Sequence, residues 1–364
     1  MAAADPELAI QLARRVAFLY QVAEKDLQQQ VARRLARGVE QPGWAEDKLV
    51  ELTRLRQAAD RRVAALEKEV TRTVADALAQ AAGGLRDQPF PIRTNTRAVE
   101  VLAEQTLTKL RATHFQLLRS VQDEYRTVVA RTASQVATGQ TTTRVAAQRT
   151  VSALARQGLT GFVDSKGRAW KLDRYAEMAV RTASAQAMVG ARLNEYVDAG
   201  RSLVIVSNSP DECDKCEPWE DKILAIDGAP LSPEDRRLAV ATVKEATKAG
   251  LFHPNCTHDL RPYIHGLTKS FTSTTDKAGE AQRKTETRAQ RKLVEAQRQD
   301  VVTEPFGDSP ERQRVKAKLA GAEDEAVEAM AARYRLQHGT EPRPADLARF
   351  RRQAGRGQVA VPPE

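Results

Sequence analysis

Three long stretches near the N-terminus carry apolar residues at alternating spacings of three and four, and this pattern constrains the fold most. The stretches lie at about 6–37, 44–82 and 96–137. Asp5-Pro6 is typical of a helix start, and Gly38 and Gly83 are typical of helix ends. Helices of about forty residues are about 60 Å long and bury such stripes against one another. We therefore expect residues 1–138 to form a helical bundle or a coiled-coil hairpin that serves as an interaction domain.

The pattern changes near residue 139, where strand signals alternate with shorter helices. Helices are expected at 142–157, 173–199 and 232–249, a hairpin at 161–172, and strands at 201–207, 222–226 and 260–264. Short apolar runs rich in β-branched residues and bounded by turn residues predict the strands. The predicted fold class is α+β, with a long-helix domain followed by a small α+β domain at 139–267.

Beyond residue 267 the sequence becomes polar and rich in Arg, Lys, Gln and Glu. Residues 276–300 have few apolar positions, which is typical of a solvated helix or of a segment that stays disordered without a partner. A weak helical pattern follows at 311–352. We expect a polar linker and a helical or disordered basic tail at 268–364.

The charge of the chain is mildly basic. Lys and Arg number 57 against 48 Asp and Glu, which gives a net charge of +9. This sign suits a neighbour of nucleic acid, although the basic residues are spread along the chain as on solvated helix faces. Aromatic residues are only 5% of the chain, which argues against a base-stacking surface. No apolar leader and no run of 18 apolar residues occurs, so we expect neither a signal peptide nor a membrane span.

The three cysteines fall in two short clusters inside the predicted α+β domain. The clusters are Cys213-Asp-Lys-Cys216 and His253-Pro-Asn-Cys256-Thr-His258. A Cys-x-x-Cys pair places two thiolates on one turn, which suits tetrahedral zinc. We expect a structural zinc clip formed by the three cysteines and one histidine, with His253 favoured over His258 because Pro254 stiffens the intervening loop. Small buried cysteines without a metal, or an intracellular disulfide, are the alternatives.

Motifs for catalysis are missing from the sequence. Glu212, Glu217 and Glu220 offer acids near the first cysteine pair, but there is no His-Glu-x-x-His and no zinc-deaminase pattern. No P-loop, Gly-x-Gly-x-x-Gly or Gly-x-Ser-x-Gly occurs either. Four protein ligands would also leave a zinc ion without an open position. We expect a protein without catalytic residues; a nuclease or transferase built on the α+β domain is the alternative.

Several segments of the predicted α+β domain, read together, resemble the minor capsid protein 2 family of tailed phages, a relative of the Mu F-type head morphogenesis proteins. The segments are Gly161–Trp170, Tyr175–Thr182, Val204–Ser207, Cys213–Trp219 and Gly250-Leu-Phe-His253-Pro-Asn-Cys256-Thr-His258. The resemblance covers about 140–267 and extends weakly into the N-terminal helices. The chain departs from the pattern at two places. Glu220-Asp221 replaces a Gly two residues after Trp219, and Thr257 stands where Arg is usual.

The resemblance implies a structural component of the virion. Such a protein would assemble in the host cytoplasm and lie in the capsid interior near the portal, aiding head assembly and DNA packaging or delivery. The implied partners are the phage portal protein and a major capsid or scaffold protein. The positive charge adds packaged DNA as a non-specific partner, and the N-terminal helices add an oligomer contact. A zinc-stabilised, non-specific nucleic-acid-binding protein is the main alternative function.

Overall fold

Three long helices occupy the N-terminal part of the chain. The computed structural model describes residues 6–83, 96–139, 141–163, 167–208, 215–254, 256, 258–269 and 277–356. The long helices are α1 (Pro6–Ala36), α2 (Trp44–Gly83) and α3 (Thr96–Ala137). These bounds agree with the sequence prediction to within two residues; Asp5, the predicted start signal of α1, lies outside the described residues.

The predicted apolar stripes are the buried faces of these helices. Buried members are Leu12, Val16, Leu27, Val31 and Leu35 of α1, Leu55, Leu66, Val74 and Leu78 of α2, and Leu110, Leu117, Val121 and Val128 of α3. Each buried Leu or Val side chain contributes about 1.5–3 kcal/mol relative to exposure. The indole N–H of Trp44 donates a hydrogen bond to the Leu35 carbonyl over 3.0 Å, which ties the start of α2 to the end of α1.

The chain divides into two compact units, each assembled from separate parts of the sequence. The first contains the described residues of 1–18, 68–111 and 173–277, and the second those of 19–67, 112–172 and 278–364. The sequence prediction divides the chain into consecutive segments at 1–138, 139–267 and 268–364. That division stays a prediction.

The middle of the chain contains short helices and strands. These are α4 (Thr143–Gln157), β1 (Thr160–Val163), β2 (Ala169–Lys171), α5 (Leu172–Asp198), β3 (Leu203–Val206), β4 (Ile223–Ala225), α6 (Pro233–Leu238), β5 (Ala241–Thr242), α7 (Val243–Ala249) and β6 (Leu260–Pro262). β1 and β2 form the predicted hairpin, whose turn at 164–166 lies outside the described residues.

A four-stranded sheet with the order β5-β4-β3-β6 forms the centre of the first unit. β3 pairs antiparallel with both β4 and β6, whereas β4 and β5 run parallel. All four residues of β3 are buried, as expected for a continuous apolar strand that is covered on both faces. The core around it includes Tyr196, Val206, Leu224, Val243 and Leu260.

The prediction of a single helix at 232–249 is wrong, because β5 separates α6 from α7. The backbone N–H of Val240 donates to the Ile223 carbonyl over 3.0 Å, so the chain leaves the helix to join the sheet. Thr242 then starts a new helix. Its hydroxyl accepts from the Glu245 N–H, and the Glu245 carboxylate accepts from the Thr242 N–H. This reciprocal pair is a capping box, which satisfies N–H groups that the first turn of a helix leaves open.

The C-terminal part is helical over nearly all of its described length, so the disordered alternative is wrong for residues 277–356. It consists of α8 (Lys277–Thr303), α9 (Pro310–His338) and α10 (Pro344–Gly355). Its core contains Ala289, Leu293, Ala296, Ala326, Met330 and Phe350. Alanines supply much of this core, and an apolar pattern judged on large residues underestimates it. None of the described helices combines the length and apolar character needed to cross a membrane.

Candidate metal centre

Two loops meet at the C-terminal end of β3, and they carry the two Cys/His clusters. The first loop leaves β3 after Val206 and returns as β4, which is antiparallel to β3. The second loop leads into β6, whose first residue, Leu260, pairs with Val206. Because β4 and β6 both run antiparallel to β3, the loop after β3 and the loop before β6 lie at the same end of the sheet.

Three of the predicted ligands come together at this end of the sheet. One ligand atom each from Cys216, His253 and Cys256 lies within 4.8 Å of the other two. The two sulfurs are 3.6 Å apart, so Cys216 and Cys256 are free thiols and not a disulfide. Cys213 lies outside the described residues, so its predicted role as a ligand stays a prediction.

Cys216 is held by the core and by the turn that follows it. Its side chain is fully buried among apolar residues of the sheet and α7. Its carbonyl accepts from the Trp219 N–H over 2.8 Å, closing a short 3-10 helix at Glu217–Trp219. A Cβ at Gly250 would lie 3.5 Å from Lys215 Cβ, so the two loops approach closely beside the cysteine. These contacts hold the backbone of Cys216 in place and keep its side chain in the core.

The second loop has an unusual backbone. Phe252 has a φ of 60°, in the left-handed region that bulky residues rarely adopt. His253 follows directly, and its carbonyl accepts from the Cys256 N–H over 2.9 Å, which forms a tight turn. The turn places the two side chains on the same side of the loop. Strained residues of this kind cluster at functional sites, because the surrounding structure must hold them in place.

His258 is not in the three-residue group. Its Nδ1 lies 3.4 Å from the Cys256 sulfur, and its Nε2 lies 2.7 Å from Glu220 Oε1. The imidazole is only 2% exposed. The structure therefore places His258 between the Cys256 thiol and the Glu220 carboxylate.

The charges of Cys256 and His258 depend on each other. Burial would raise the pKa of the Cys256 thiol, but hydrogen bonds and charge from His258, with a hydrogen bond from Cys216, lower this pKa overall. Burial would likewise lower the pKa of His258, but its bonds to Cys256 and Glu220 raise it. Together they favour a thiolate beside an imidazolium. Thiolate is the form of cysteine that binds metal ions, whereas an imidazolium cannot.

A buried ion pair anchors the second loop immediately after His258. Arg192 of α5 and Asp259 are 3% and 8% exposed, and the guanidinium Nη1 donates to Asp259 Oδ2. The Asp259 N–H donates to Ser207 Oγ over 2.8 Å, and its carbonyl accepts from the Ser207 N–H over 2.9 Å. Removing one partner of such a pair leaves a buried charge and is strongly destabilising. The pair thus fixes the position of the loop that carries Cys256.

Comparison with known proteins decides the family. The sequence profile described as phage minor capsid protein 2 matches residues 5–337. The chain belongs to this family. The chain is also similar to a protein named "Structural protein" of Lactococcus phage LL-H, with 24% identity over 194 residues. That match covers 50% of this chain and 52% of the relative, so the chain spans about half the relative's length. No solved structure matches significantly.

These comparisons confirm the family resemblance found in the motifs and extend it over most of the chain. Membership of this family supports a structural role in a phage capsid.

One departure from the family pattern has a structural explanation. Where the pattern has Gly two residues after Trp219, the minor capsid protein has Asp221, whose φ is 57°. This left-handed conformation suits glycine, and aspartate tolerates it better than most other residues. The Asp221 N–H donates to the Val206 carbonyl over 3.2 Å, so aspartate holds this left-handed position against β3.

Sequence reasoning did not find the roles of Glu220 and Asp259. It treats Glu220 only as an acid for a catalytic metal, although the carboxylate binds a histidine 38 residues away. Asp259 adjoins the second cluster, but its partner Arg192 lies 67 residues earlier on α5. Neither pairing leaves a local signal in the sequence, because both depend on how the sheet and α5 pack.

Proposed function

We propose that this protein lies inside the phage head near the portal, where it aids head assembly and DNA packaging or delivery. The observation that carries this proposal is the family match over residues 5–337. The long helices support it: α3 has 42 residues and is about 60 Å long, a length that suits an extended structural element better than a compact enzyme. The proposed role requires no catalysis.

The proposed partners are the portal protein, the major capsid or scaffold protein, and further copies of this chain. Faces of α1, α2 and α3 that are not buried within the chain are rich in charged residues. Such faces favour polar contacts with partners that share the head. Chemical cross-linking of assembled heads, read by mass spectrometry, tests these partners directly. We expect cross-links from lysines of the N-terminal helices to the portal protein.

Virion fractionation tests the location. In the phage that encodes this chain, we expect the protein to stay with the head when the tail is removed. Protease should degrade it in heads opened by heating and spare it in intact heads, with the major capsid protein as the loading control. Cleavage in intact heads would place the protein on the outer surface. Absence from purified heads would leave only a role in assembly.

Contact with packaged DNA is a separate proposal, supported by the net charge of +9. Phosphate contacts of this kind are independent of base sequence and weaken steeply as salt displaces the protein. We expect the full-length chain to bind unrelated duplexes equally, with an affinity that falls along a straight line in a plot of log affinity against log salt. Binding that persists at high salt, or that depends on base sequence, would contradict a contact made through phosphate charges alone.

A further inference from the structure

We propose that Cys216, His253 and Cys256 bind one zinc ion, and that His258 and Glu220 form an outer pair that supports the Cys256 ligand without touching the metal. This inference stands on the geometry of the first unit and does not depend on where the protein lies in the head. It assigns different roles to the two histidines that the sequence leaves as alternatives.

The spacing of the sulfurs fits a shared metal ion. Two thiolates bound to one tetrahedral zinc at about 2.3 Å each lie about 3.8 Å apart. The Cys216 and Cys256 sulfurs are 3.6 Å apart. A disulfide needs about 2.05 Å, so these thiols are placed for joint coordination. The limit of 4.8 Å among all three ligand atoms also allows the nitrogen of His253 to complete a face of the tetrahedron.

The donor types select the metal. Two thiolates and an imidazole form a soft ligand set, which suits zinc and excludes magnesium and calcium, since these prefer oxygen. The Glu220 carboxylate is bonded to His258, with Oε1 2.7 Å from Nε2. The set also lies beside a small core, where metal binding adds its free energy to that of folding.

The hydrogen bonds distinguish the two histidines. His253 Nδ1 lies 2.7 Å from the Pro254 carbonyl, and a carbonyl can only accept, so Nδ1 donates and Nε2 is the nitrogen left for a metal ion. This is the usual arrangement of a metal-binding histidine. His258 instead uses Nδ1 toward Cys256 and Nε2 toward Glu220. Metal binding through either nitrogen of His258 would break one of these bonds.

The first experiment measures zinc in the full-length chain, purified under reducing conditions, by inductively coupled plasma mass spectrometry. We expect about one zinc ion per chain. Cys216→Ser, Cys256→Ser and His253→Ala should each lose it. His258→Gln and Glu220→Gln should retain it but bind about 10–100-fold more weakly in competition with a chromophoric chelator, as is usual for outer partners of a metal ligand. His265→Gln, an exposed histidine outside the group, is the matched control and should match the wild type.

A second measurement avoids variants that fail to fold. Cobalt(II) added to the metal-free wild-type protein should give a thiolate-to-cobalt charge-transfer band together with the strong visible bands of tetrahedral coordination. The proposal is overturned by a wild-type chain that binds neither zinc nor cobalt, or by a chain whose two cysteines form a disulfide under reducing purification. Loss of zinc in His258→Gln with retention in His253→Ala would overturn the roles assigned to the histidines.

Discussion

Glu124 on α3 has a carboxyl group that is buried in the second unit with one oxygen lacking a hydrogen-bond partner. Its Oε1 is buried and has no hydrogen-bond partner. Burial, together with the negative charge of Glu24, raises its pKa from 4.5 to about 8. Between these values the folded protein holds a proton that the unfolded chain has released. The free energy of unfolding therefore falls as the pH rises from 4.5 to 8 and levels off above that range.

Glu124→Gln should remove this loss of stability. Glutamine stays neutral, so the variant should match the wild type near pH 4.5 and exceed it at pH 8 by on the order of a few kcal/mol. Urea unfolding followed by circular dichroism at both pH values measures the difference. Glu100→Gln, at an exposed position of the same helix, is the matched control and should leave the pH dependence unchanged. Parallel curves for wild type and Glu124→Gln would contradict the shifted pKa.

Gly158, which ends α4, is a second residue whose surroundings come from distant parts of the sequence. Its φ of 79° and ψ of 164° lie in a region that is nearly restricted to glycine. A Cβ there would lie 2.8 Å from both Arg298 Nη1 and Glu24 Oε1. These two residues form a buried ion pair, and Glu24 Oε1 also accepts from the Leu159 N–H over 2.6 Å. An added methyl group would therefore collide with the pair itself.

Gly158→Ala should reduce the free energy of unfolding by more than about 3 kcal/mol, since it adds backbone strain to a disturbed buried pair. Gly200→Ala separates the two effects. Gly200 follows α5 with a φ of 70°, and nothing lies within 4 Å of its hypothetical Cβ. Only the strain of about 1–2 kcal/mol should remain there. Urea unfolding of both variants measures the difference, and equal losses would show that the ion pair tolerates the methyl group.

At the scale of the elements, the start of α7 after β5 is stabilised by one hydroxyl, that of Thr242. Thr242→Ala removes the acceptor for the Glu245 N–H and should cost about 1 kcal/mol. Thr247→Ala on the same helix is the matched control. Its hydroxyl bonds only the Val243 carbonyl one turn earlier, so its loss should be near zero. Thermal unfolding followed by circular dichroism measures both. A Thr242→Ala loss no larger than that of Thr247→Ala would show that β5 alone starts α7.

The same elements show what the sequence can and cannot predict. α1, α2 and α3 follow from their stripes because regular spacing is a local property of the chain. The split at β5 was missed because residues 232–249 favour helix locally, and the sheet overrides that preference. Thr242 and Glu245 do match the spacing of a capping box, so the second start was readable. The tail was underestimated because its core uses small side chains such as Ala289 and Ala296.

The candidate metal centre is likewise predictable from the sequence only in part. The spacing of the two short clusters predicts Cys216, His253 and Cys256 as metal ligands. Their approach to within 4.8 Å depends on the antiparallel pairing of β3 with β6. The assignment of His258 to the outer pair depends on Glu220, which no spacing rule connects to it. Local chemistry is therefore predictable from the sequence, and the partners that tune it require the fold.

At the scale of the whole molecule, the C-terminal helices are part of the second unit. Gln299 Nε2 donates to Ser152 Oγ over 3.2 Å, and Gln148 Nε2 donates to the Thr303 carbonyl over 3.3 Å, so α8 and α4 are joined by buried polar contacts. Arg298 supplies the positive charge that the buried Glu24 carboxylate requires. A chain ended after residue 269 would lose all of these contacts at once.

This truncation should therefore give a protein that aggregates or unfolds at a much lower temperature than the full-length chain. Deleting the tail leaves Glu24 as an uncompensated buried charge and exposes the face of α4. Arg298→Met in the full-length chain removes only the charge partner of Glu24 and should lower the free energy of unfolding by about 3–5 kcal/mol. A chain ended after residue 356 keeps α8, α9 and α10 and is the matched control. Circular dichroism melts and size-exclusion chromatography compare the four proteins. A soluble chain of residues 1–269 with an unchanged melt would contradict this prediction. It would mean that these residues fold without the tail, and that Glu24 finds another partner or takes up a proton once Arg298 is gone.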